Sequence, residues 1–201
     1  MTDAQTIFVV DDDAAVGRAL QSAGKLLGHP VRAFASAAEF LAAYAGEPGC
    51  MVLDVRMPGM TGLELQRRLA DDGVGIPVVM ISGHADVRIA VEAMTLGAVT
   101  LLEKPFRLDE LLAHVRRALE KDRADRDALA RATDAGARLA ALTAKEREVL
   151  ELVAAGKTNR EMAEELGLSL RAVEDRRSRL MRKVGAKSVV ELVRLLTGGA
   201  D

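Results

Sequence analysis

Several polar side chains that can bind a cation or an anion directly follow short apolar segments in the first half of this 201-residue chain. They are Asp11, Asp12, Asp13, Asp54, Ser82 and Lys104. If those apolar segments are parallel strands of one sheet, the side chains meet at its carboxyl edge, where open α/β folds bind their ligands. The sequence therefore predicts one site made of carboxylates, a hydroxyl and an ammonium group.

Three of the carboxylates predict a magnesium site. Asp11, Asp12 and Asp54 would repel one another without a cation, and oxygen ligands suit Mg²⁺, which also binds substrate phosphate. Ser82 and Lys104 could then bind an anion, for which a phosphoryl group is the natural candidate. The chemistry that this set predicts is phosphoryl transfer to an aspartate, with the metal and the lysine offsetting the charge that builds up.

The elements that must position these groups alternate between two patterns. Continuous apolar runs, typical of strands buried on both faces, lie at residues 7–10, 31–34, 51–53, 76–81 and 99–102. Amphipathic stretches with a helical period lie between them, at residues 14–27, 37–44, 63–70, 86–96 and 108–119. Successive βα units of this kind predict a doubly wound α/β fold with a parallel sheet. Asp13 is expected to cap the first helix.

The second half of the chain differs in charge and composition. Residues 1–120 contain 16 acidic and 11 basic residues, whereas residues 121–201 contain 14 acidic and 17 basic ones. Residues 171–187 alone contain seven bases and two acids, a density that suits a polyanion. The aromatic residues all lie in the first half, which argues against stacking on single-stranded nucleic acid.

A charged segment separates the two halves. Residues 120–141 contain few large apolar side chains and carry pairs such as Asp122 with Arg126 at i,i+4, so they predict a solvated helix. Gly136 is expected to end that helix, and the second domain should begin near Leu139.

Capping signals predict four helices after this segment, at residues 144–155, 159–166, 170–184 and 189–197. The capping residues are Thr143 with Glu146, Thr158 with Glu161, Ser188 with Glu191, and Ser169. Gly156, Gly167 and Gly185 are expected at helix C-termini. The short turn through Gly167 predicts a helix-turn-helix motif.

The third of these helices belongs in the major groove of DNA. Val173, Leu180 and Val184 form one apolar stripe, which leaves a mainly basic face for DNA. A carboxylate on that face, Glu174 or Asp175, can accept a hydrogen bond from cytosine N4. The residues expected to contact DNA are Lys157, Arg160, Arg171, Glu174, Asp175, Arg176, Ser178, Arg179, Arg182 and Lys183.

The motifs of the first half resemble the receiver domain of response regulators over about residues 4–120. They are Val9-Val10-Asp11-Asp12, Leu53-Asp54-Val55-Arg56-Met57-Pro58-Gly59-Met60-Thr61-Gly62, Ile81-Ser82-Gly83-His84 and Glu103-Lys104-Pro105-Phe106. This resemblance implies a flavodoxin-like sheet of order 2-1-3-4-5 with helices on both faces. It also implies a cis Lys104–Pro105 bond.

The resemblance assigns a role to each residue of the predicted site. Asp54 becomes the phosphate acceptor, and a sensor histidine kinase becomes the donor. Asp11, Asp12 and Asp54 hold Mg²⁺ together with the backbone carbonyl of Arg56, Ser82 is the switch hydroxyl, and Lys104 contacts the phosphate.

One position of the receiver departs from its family. Receivers usually have Tyr or Phe three residues before the lysine, where this chain has Leu101. Leucine has no ring to rotate between buried and exposed states. Coupling between phosphorylation and output is therefore either weaker or carried by packing of the helix predicted at residues 86–96.

The second half resembles the LuxR-type DNA-binding domain over about residues 139–197, and the whole chain resembles a FixJ-type regulator. The motifs are residues 142–150, 156–163 and 180–188. The family dimerises through its last helix, which points to Val189, Leu192 and Val193. Arg176 stands where a histidine is commoner. These resemblances divide the chain into a receiver at 1–120, a helical linker at 121–138 and a DNA-binding domain at 139–201.

The leading interpretation is a transcription regulator that Asp54 phosphorylation converts into a promoter-binding homodimer, with RNA polymerase as a further candidate partner. A Mg²⁺-dependent phosphohydrolase is the first alternative, because Asp11 and Asp13 have its D-x-D spacing. A DNA-binding regulator with a vestigial receiver is the second, because of Leu101. Apolar runs far shorter than ~20 residues exclude a membrane span. The lack of an N-terminal leader pattern and a single cysteine, Cys50, favour the cytoplasm.

Overall fold

A computed structural model describes residues 5–84 and 86–196, which form five strands and nine helices. The chain divides into two compact units, residues 1–126 and residues 127–201. The N-terminal stretch on which the leader prediction rests lies outside the described residues, apart from Gln5.

The first unit is a parallel sheet with the order β2-β1-β3-β4-β5, as predicted. The strands are β1 (Thr6–Val10), β2 (Val31–Phe34), β3 (Gly49–Asp54), β4 (Val78–Ser82) and β5 (Thr100–Glu103). The first four helices are α1 (Ala14–Leu27), α2 (Ala37–Ala43), α3 (Gly62–Asp71) and α4 (Val87–Thr95). The fifth, α5 (Leu108–Ala140), continues past the boundary between the units.

The two faces of the sheet carry separate apolar cores, because successive side chains of a strand point to opposite faces. On β1, Phe8 and Val10 pack on one face with side chains of α2, α3 and α4, such as Phe40. Ile7 and Val9 pack on the other face with α1 and α5. The helices cover both faces of the sheet, whereas the carboxyl ends of the strands are not covered by them. The residues of the predicted site lie at these strand ends.

Several strands have limits that differ from the predicted ones, and local features explain two of the differences. β3 begins at Gly49, where the backbone has a φ of 149° and an added Cβ would lie 1.8 Å from the carbonyl oxygen of Thr6, so only glycine fits. β4 begins at Val78 rather than at residue 76, because Pro77 has no backbone N–H to donate to the ladder. β5 lies one residue later than predicted, at Thr100–Glu103.

The prediction that Gly136 ends the linker helix is wrong, since α5 runs to Ala140. A glycine inside a helix costs only about 1 kcal/mol relative to alanine. Its neighbours Ala135 and Ala137 are strong helix formers, and the next helix signal comes only at Thr143, so α5 continues past the glycine.

The prediction that Asp122 lies on a solvated surface is also wrong. Asp122 is 2% exposed, and one carboxylate oxygen accepts hydrogen bonds from Gln5 Nε2 at 2.9 Å and from the Gly49 backbone N–H at 3.0 Å. Its other oxygen accepts from Arg126 Nε at 2.7 Å, the predicted i,i+4 partner. The first unit therefore extends beyond residue 120, because this carboxylate satisfies donors at the amino ends of β1 and β3.

The second unit contains α6 (Ala144–Ala154), α7 (Asn159–Leu166), α8 (Leu170–Val184) and α9 (Val189–Leu196), close to the predicted limits. Thr143 with Glu146 and Thr158 with Glu161 form complete capping boxes, and Ser169 caps α8. The Ser188 hydroxyl accepts from the Glu191 N–H, but the Glu191 carboxylate accepts from the backbone N–H of Lys187 and not from that of Ser188. The predicted capping box at α9 is therefore only half formed. One apolar core joins these helices and includes the predicted stripe of Val173, Leu180 and Val184.

Candidate functional site

The carboxyl edge of the sheet brings Asp11, Asp54 and Lys104 into direct contact. The Lys104 ammonium donates to Oδ1 of Asp54 at 2.7 Å and to Oδ2 of Asp11 at 2.8 Å. Asp54 also accepts the backbone N–H of Arg56 at 2.6 Å. Both carboxylates are almost fully buried, with 5% exposure for Asp11 and 4% for Asp54. The Lys104–Pro105 peptide bond is cis, as the resemblance implies.

Burial and the ion pairs act in opposite directions on these groups. Desolvation raises the pKa of Asp11, although hydrogen bonds from Lys104 and the Asp13 N–H offset part of the rise. Burial alone would lower the pKa of Lys104, but its bonds to Asp11 and Asp54 outweigh that effect and raise it. Lys104 is therefore protonated, and its positive charge lies beside the carboxylates of Asp11 and Asp54.

The other two acids of the first loop have different positions. Asp12 is exposed, and Asp13 is the N-cap of α1, accepting from the Ala15 N–H at 2.9 Å. Asp13 thus has the capping role that was expected, which removes one half of the D-x-D pair of the phosphohydrolase alternative. Among residues 5–84 and 86–196, no group of three or more His, Cys, Asp or Glu side chains is gathered closely enough for a metal ion.

The Ser82 hydroxyl is bonded to its own loop. It donates to the His84 carbonyl oxygen at 2.8 Å and accepts the His84 N–H at 3.1 Å. Ser82 is fully buried at the end of β4, and its β5 neighbour in the sheet is Glu103, next to Lys104. Leu101 is half-buried and packs against the core that contains the α4 residue Ala93. The leucine that replaces the usual aromatic residue therefore contacts the same core as α4.

In the second unit, α7 and α8 form the predicted helix-turn-helix, and Gly167 ends α7 in the left-handed conformation with a φ of 63°. Arg177 lies between the two helices, where its Nη1 donates to Oδ1 of Asn159 at 2.8 Å. This half-buried arginine is a residue that the sequence interpretation did not single out, although its position beside the apolar stripe of α8 was the available signal.

Most of the predicted DNA contacts are exposed on α7 and α8. The exposed residues of α8 are Arg171, Glu174, Asp175, Ser178, Arg179, Arg182 and Lys183, while Arg176 is half-buried. Arg179 pairs with Asp175 at 2.7 Å, and Lys183 pairs with Glu146 of α6 at 2.7 Å. Lys157 and Arg160 lie 3.6 and 3.5 Å from acids of α7. The exposed pairs Arg179–Asp175 and Arg160–Glu164 contribute little to stability, so a polyanion can replace their acids.

The predicted dimer residues need correction. Leu192 is fully buried, so its side chain is not available to a partner, and Val189 is partly buried against the core of the second unit. On α9, the exposed apolar side chains are Val190, Val193 and Leu196, at 66%, 37% and 40% exposure. The reason is the helical period, which points residues 189, 192 and 195 inward and the intervening positions outward. Of the three predicted residues, only Val193 lies on the exposed face.

Two family models match the chain. One, described as the response regulator receiver domain, matches residues 7–116, and one for bacterial regulatory proteins of the luxR family matches residues 140–196. The helices of residues 5–84 and 86–196 include none that is both long and apolar enough to cross a lipid bilayer.

Several full-length proteins are similar to this chain. The transcriptional regulatory protein FixJ of Bradyrhizobium diazoefficiens is 42% identical over 196 residues, which cover 97% of this chain and 96% of that protein. FixJ of Rhizobium meliloti is 42% identical over 200 residues, covering 99% and 98%. The structure of the response regulator StyR has a TM-score of 0.82 at 36% identity, with 96% of this chain and 98% of StyR covered.

Proposed function

Because this chain belongs to the FixJ-type response regulators, transcriptional regulators that join a receiver to a LuxR-type DNA-binding domain, we propose that phosphorylation of Asp54 controls its binding to promoter DNA. The observation that supports this proposal most strongly is the contact of Lys104 with both Asp11 and Asp54. It keeps a fixed positive charge beside a buried carboxylate, which is what an acceptor of a phosphoryl group requires.

The donor is a sensor histidine kinase that carries a phosphohistidine. In the transfer, the phosphorus–nitrogen bond of the donor breaks, its electron pair stays with the imidazole, and a phosphorus–oxygen bond forms to the Asp54 carboxylate. Lys104 then donates to the phosphoryl oxygens, while the Arg56 N–H that now binds Asp54 helps to orient the carboxylate. The Ser82 hydroxyl leaves the His84 carbonyl and donates to the phosphoryl group.

Magnesium is the cofactor that suits this donor set. Asp11, Asp12 and Asp54 offer carboxylate oxygens, and the Arg56 carbonyl adds a neutral one, all hard ligands of the kind that Mg²⁺ prefers. When bound, the ion neutralises negative charge that develops on the transferring group. Asp11 and Asp54 already contact the same ammonium group, and the exposed Asp12 would complete the set of carboxylates.

The phosphorylated receiver promotes a homodimer that places two copies of α8 on DNA half-sites. An apolar face of Val190, Val193 and Leu196 on α9 supports contact between two DNA-binding domains. Dimerisation links two weak DNA contacts, so the second binds at a high effective concentration. The promoter as partner implies a cytoplasmic location, and RNA polymerase is the next partner of such a complex.

The proposed DNA contacts are divided by chemistry. Arg171, Arg182 and Arg160 contact phosphates, which sets affinity and salt dependence. Glu174 and Asp175 are on the exposed face of the recognition helix α8, where carboxylates read the amino group of cytosine.

Incubation with acetyl phosphate and Mg²⁺, followed by intact-mass spectrometry, tests the acceptor. We expect a gain of one phosphoryl group in the wild type and none in Asp54→Asn, while Asp13→Asn, which changes the charge of the N-cap on the neighbouring loop, still gains it. Phosphorylation of Asp54→Asn to the wild-type level would contradict the assignment.

A further inference from the structure

Arg138, in the last turn of α5, contacts the C-terminal end of the recognition helix α8. Its Nη1 donates to the backbone carbonyl oxygen of Val184, the last residue of α8, at 3.2 Å. Carbonyl groups at the end of a helix lack partners within the helix and carry partial negative charge, so a guanidinium satisfies them well. The bond connects segments 46 residues apart in the sequence, both within the second unit.

Arg138 is also fixed from its own side. Its Nη2 pairs with the carboxylate of Asp134, one turn earlier on α5. Ala135 is 5% exposed, and Leu139 packs against the core that contains α8. The Nε atom of Arg138 is buried, and within residues 5–84 and 86–196 it has no hydrogen-bond partner. A buried donor without a partner costs stability, so the guanidinium is held at Val184 despite a penalty.

The residue after Val184 leaves space for this arginine. Gly185 has a φ of 77°, and an added Cβ would lie 2.0 Å from Nη1 of Arg138. Gly167, at the end of α7, has a similar φ of 63° but no atom within 4 Å of its added Cβ. Both positions require the left-handed backbone that suits glycine, whereas only Gly185 must also make room for a side chain.

We propose that Arg138 is a positioning residue for DNA binding, which fixes the orientation of α8 from its C-terminal end. The core contacts of α8, through Val173, Leu180 and Val184, are apolar and have no preferred direction. The hydrogen bond from Arg138 is directional, as are those from Arg177 to Asn159 and from Lys183 to Glu146, and it acts at the last residue of α8. It therefore limits how this end of α8 rotates on the core. Side chains read base edges only when the helix that carries them is correctly oriented. This inference rests on DNA binding by the domain and does not depend on phosphorylation of Asp54.

The test uses the full chain and a duplex that the wild-type protein selects from a random library, with a scrambled duplex of equal length for comparison. For Arg138→Gln we expect the affinity for the selected duplex to fall about tenfold. The affinity for the scrambled duplex should change by less than about twofold, because phosphate contacts tolerate small rotations. Arg131→Gln, an exposed arginine of α5 with the same change of charge, is the control and should leave the ratio of affinities unchanged.

A second pair of variants approaches the same contact without changing charge. Gly185→Ala should displace the guanidinium and lower the affinity ratio, whereas Gly167→Ala, with the same backbone strain and open space, should lower stability only. The effects of Arg138→Gln and Gly185→Ala should not add in the double variant, because both remove one contact.

Two results would overturn the inference. One is an affinity ratio that Arg138→Gln and Gly185→Ala leave unchanged in folded protein, and the other is full additivity of the two substitutions. If Arg138→Gln does not fold, the comparison of Gly185→Ala with Gly167→Ala still decides. Failure of the wild type to select any duplex would overturn this inference together with DNA binding, whereas unchanged ratios in a wild type that binds overturn the inference alone.

Discussion

The ammonium nitrogen of Lys104 lies between two buried carboxylates, 2.7 Å from Oδ1 of Asp54 and 2.8 Å from Oδ2 of Asp11. The three residues come from the ends of three different strands, so the contact exists only because the sheet is parallel and has the order β2-β1-β3-β4-β5. The pair of carboxylates is thus neutralised in part before any phosphate or metal binds.

Replacing this lysine should weaken anion binding at Asp54. In Lys104→Met we expect the affinity for beryllofluoride with Mg²⁺ to fall by about 10- to 100-fold, because a charge-assisted hydrogen bond is worth about 1.5–3 kcal/mol. Isothermal titration calorimetry measures this affinity directly. Lys121→Met is the matched control, since Lys121 also pairs with an aspartate, at 2.8 Å from Asp125, but on an exposed part of α5. Equal affinities of Lys104→Met and wild type would refute the role of Lys104.

Magnesium should raise the melting temperature of the first unit through binding to the folded state. Asp12→Asn removes a proposed ligand and should abolish most of this rise. Asp13→Asn changes the charge of the adjacent residue, but asparagine also caps helices, so the rise should persist. Tyr44, the single tyrosine of the chain, reports unfolding of this unit by fluorescence. A magnesium-induced rise of equal size in both variants would count against Asp12 as a ligand.

Asp122 should be the charged residue of α5 whose loss most affects the stability of the first unit. Asp122→Ala leaves the buried Gly49 N–H without its acceptor and removes one of the two hydrogen bonds of Gln5 Nε2, which keeps its bond to the Leu119 carbonyl oxygen. The free energy of unfolding should therefore fall by about 2–5 kcal/mol. Urea unfolding followed by Tyr44 fluorescence measures it. Asp125→Ala, which breaks only an exposed i,i+4 pair, should change it by less than about 0.5 kcal/mol. Similar losses in the two variants would show that burial of Asp122 contributes nothing.

The second unit should depend on pH through Glu146. Hydrogen bonds from Lys183 and from Thr143 lower the pKa of Glu146 from 4.5 to about 2. Because the folded-state pKa is lowered, the stabilisation is complete above the unfolded value and is lost as pH falls from 4.5 through about 2.

Glu146→Gln should therefore lower the melting temperature at pH 7. This difference in melting temperature from wild type should shrink as the pH falls towards the folded-state pKa of about 2. Circular dichroism follows this transition, which has no Tyr44 signal. Glu161→Gln is the control, since Glu161 has the same capping-box bonds without the hydrogen bond from Lys183. Glu161→Gln should lower the melting temperature by less than Glu146→Gln does. If the difference in melting temperature between Glu146→Gln and wild type did not depend on pH, the lowered pKa of Glu146 would not be its cause.

The sequence could predict what local patterns control. Alternating apolar runs and amphipathic stretches predicted the parallel sheet. Thr143 and Thr158 predicted the starts of α6 and α7, because a capping box involves only four neighbouring residues. The convergence of Asp11, Asp54 and Lys104 followed from strand topology alone.

Other features depend on contacts between distant segments. Asp122 looked solvated because its helical neighbours are charged, yet its partners Gln5 and Gly49 are far away in sequence. Leu192 looked like a dimer residue until the core of the second unit placed it inside. Arg138 was one of many arginines, and only the end of α8 distinguishes it. No periodicity within a single helix contains this information.

The most direct test of the account measures DNA affinity and molar mass together, by titration with operator-containing duplex and by light scattering, with and without beryllofluoride and Mg²⁺. The proteins are the wild type and Asp54→Ala. The account predicts that only the wild type becomes a dimer and gains affinity when beryllofluoride is added. If both proteins bind DNA equally and neither changes mass, Asp54 does not control this regulator.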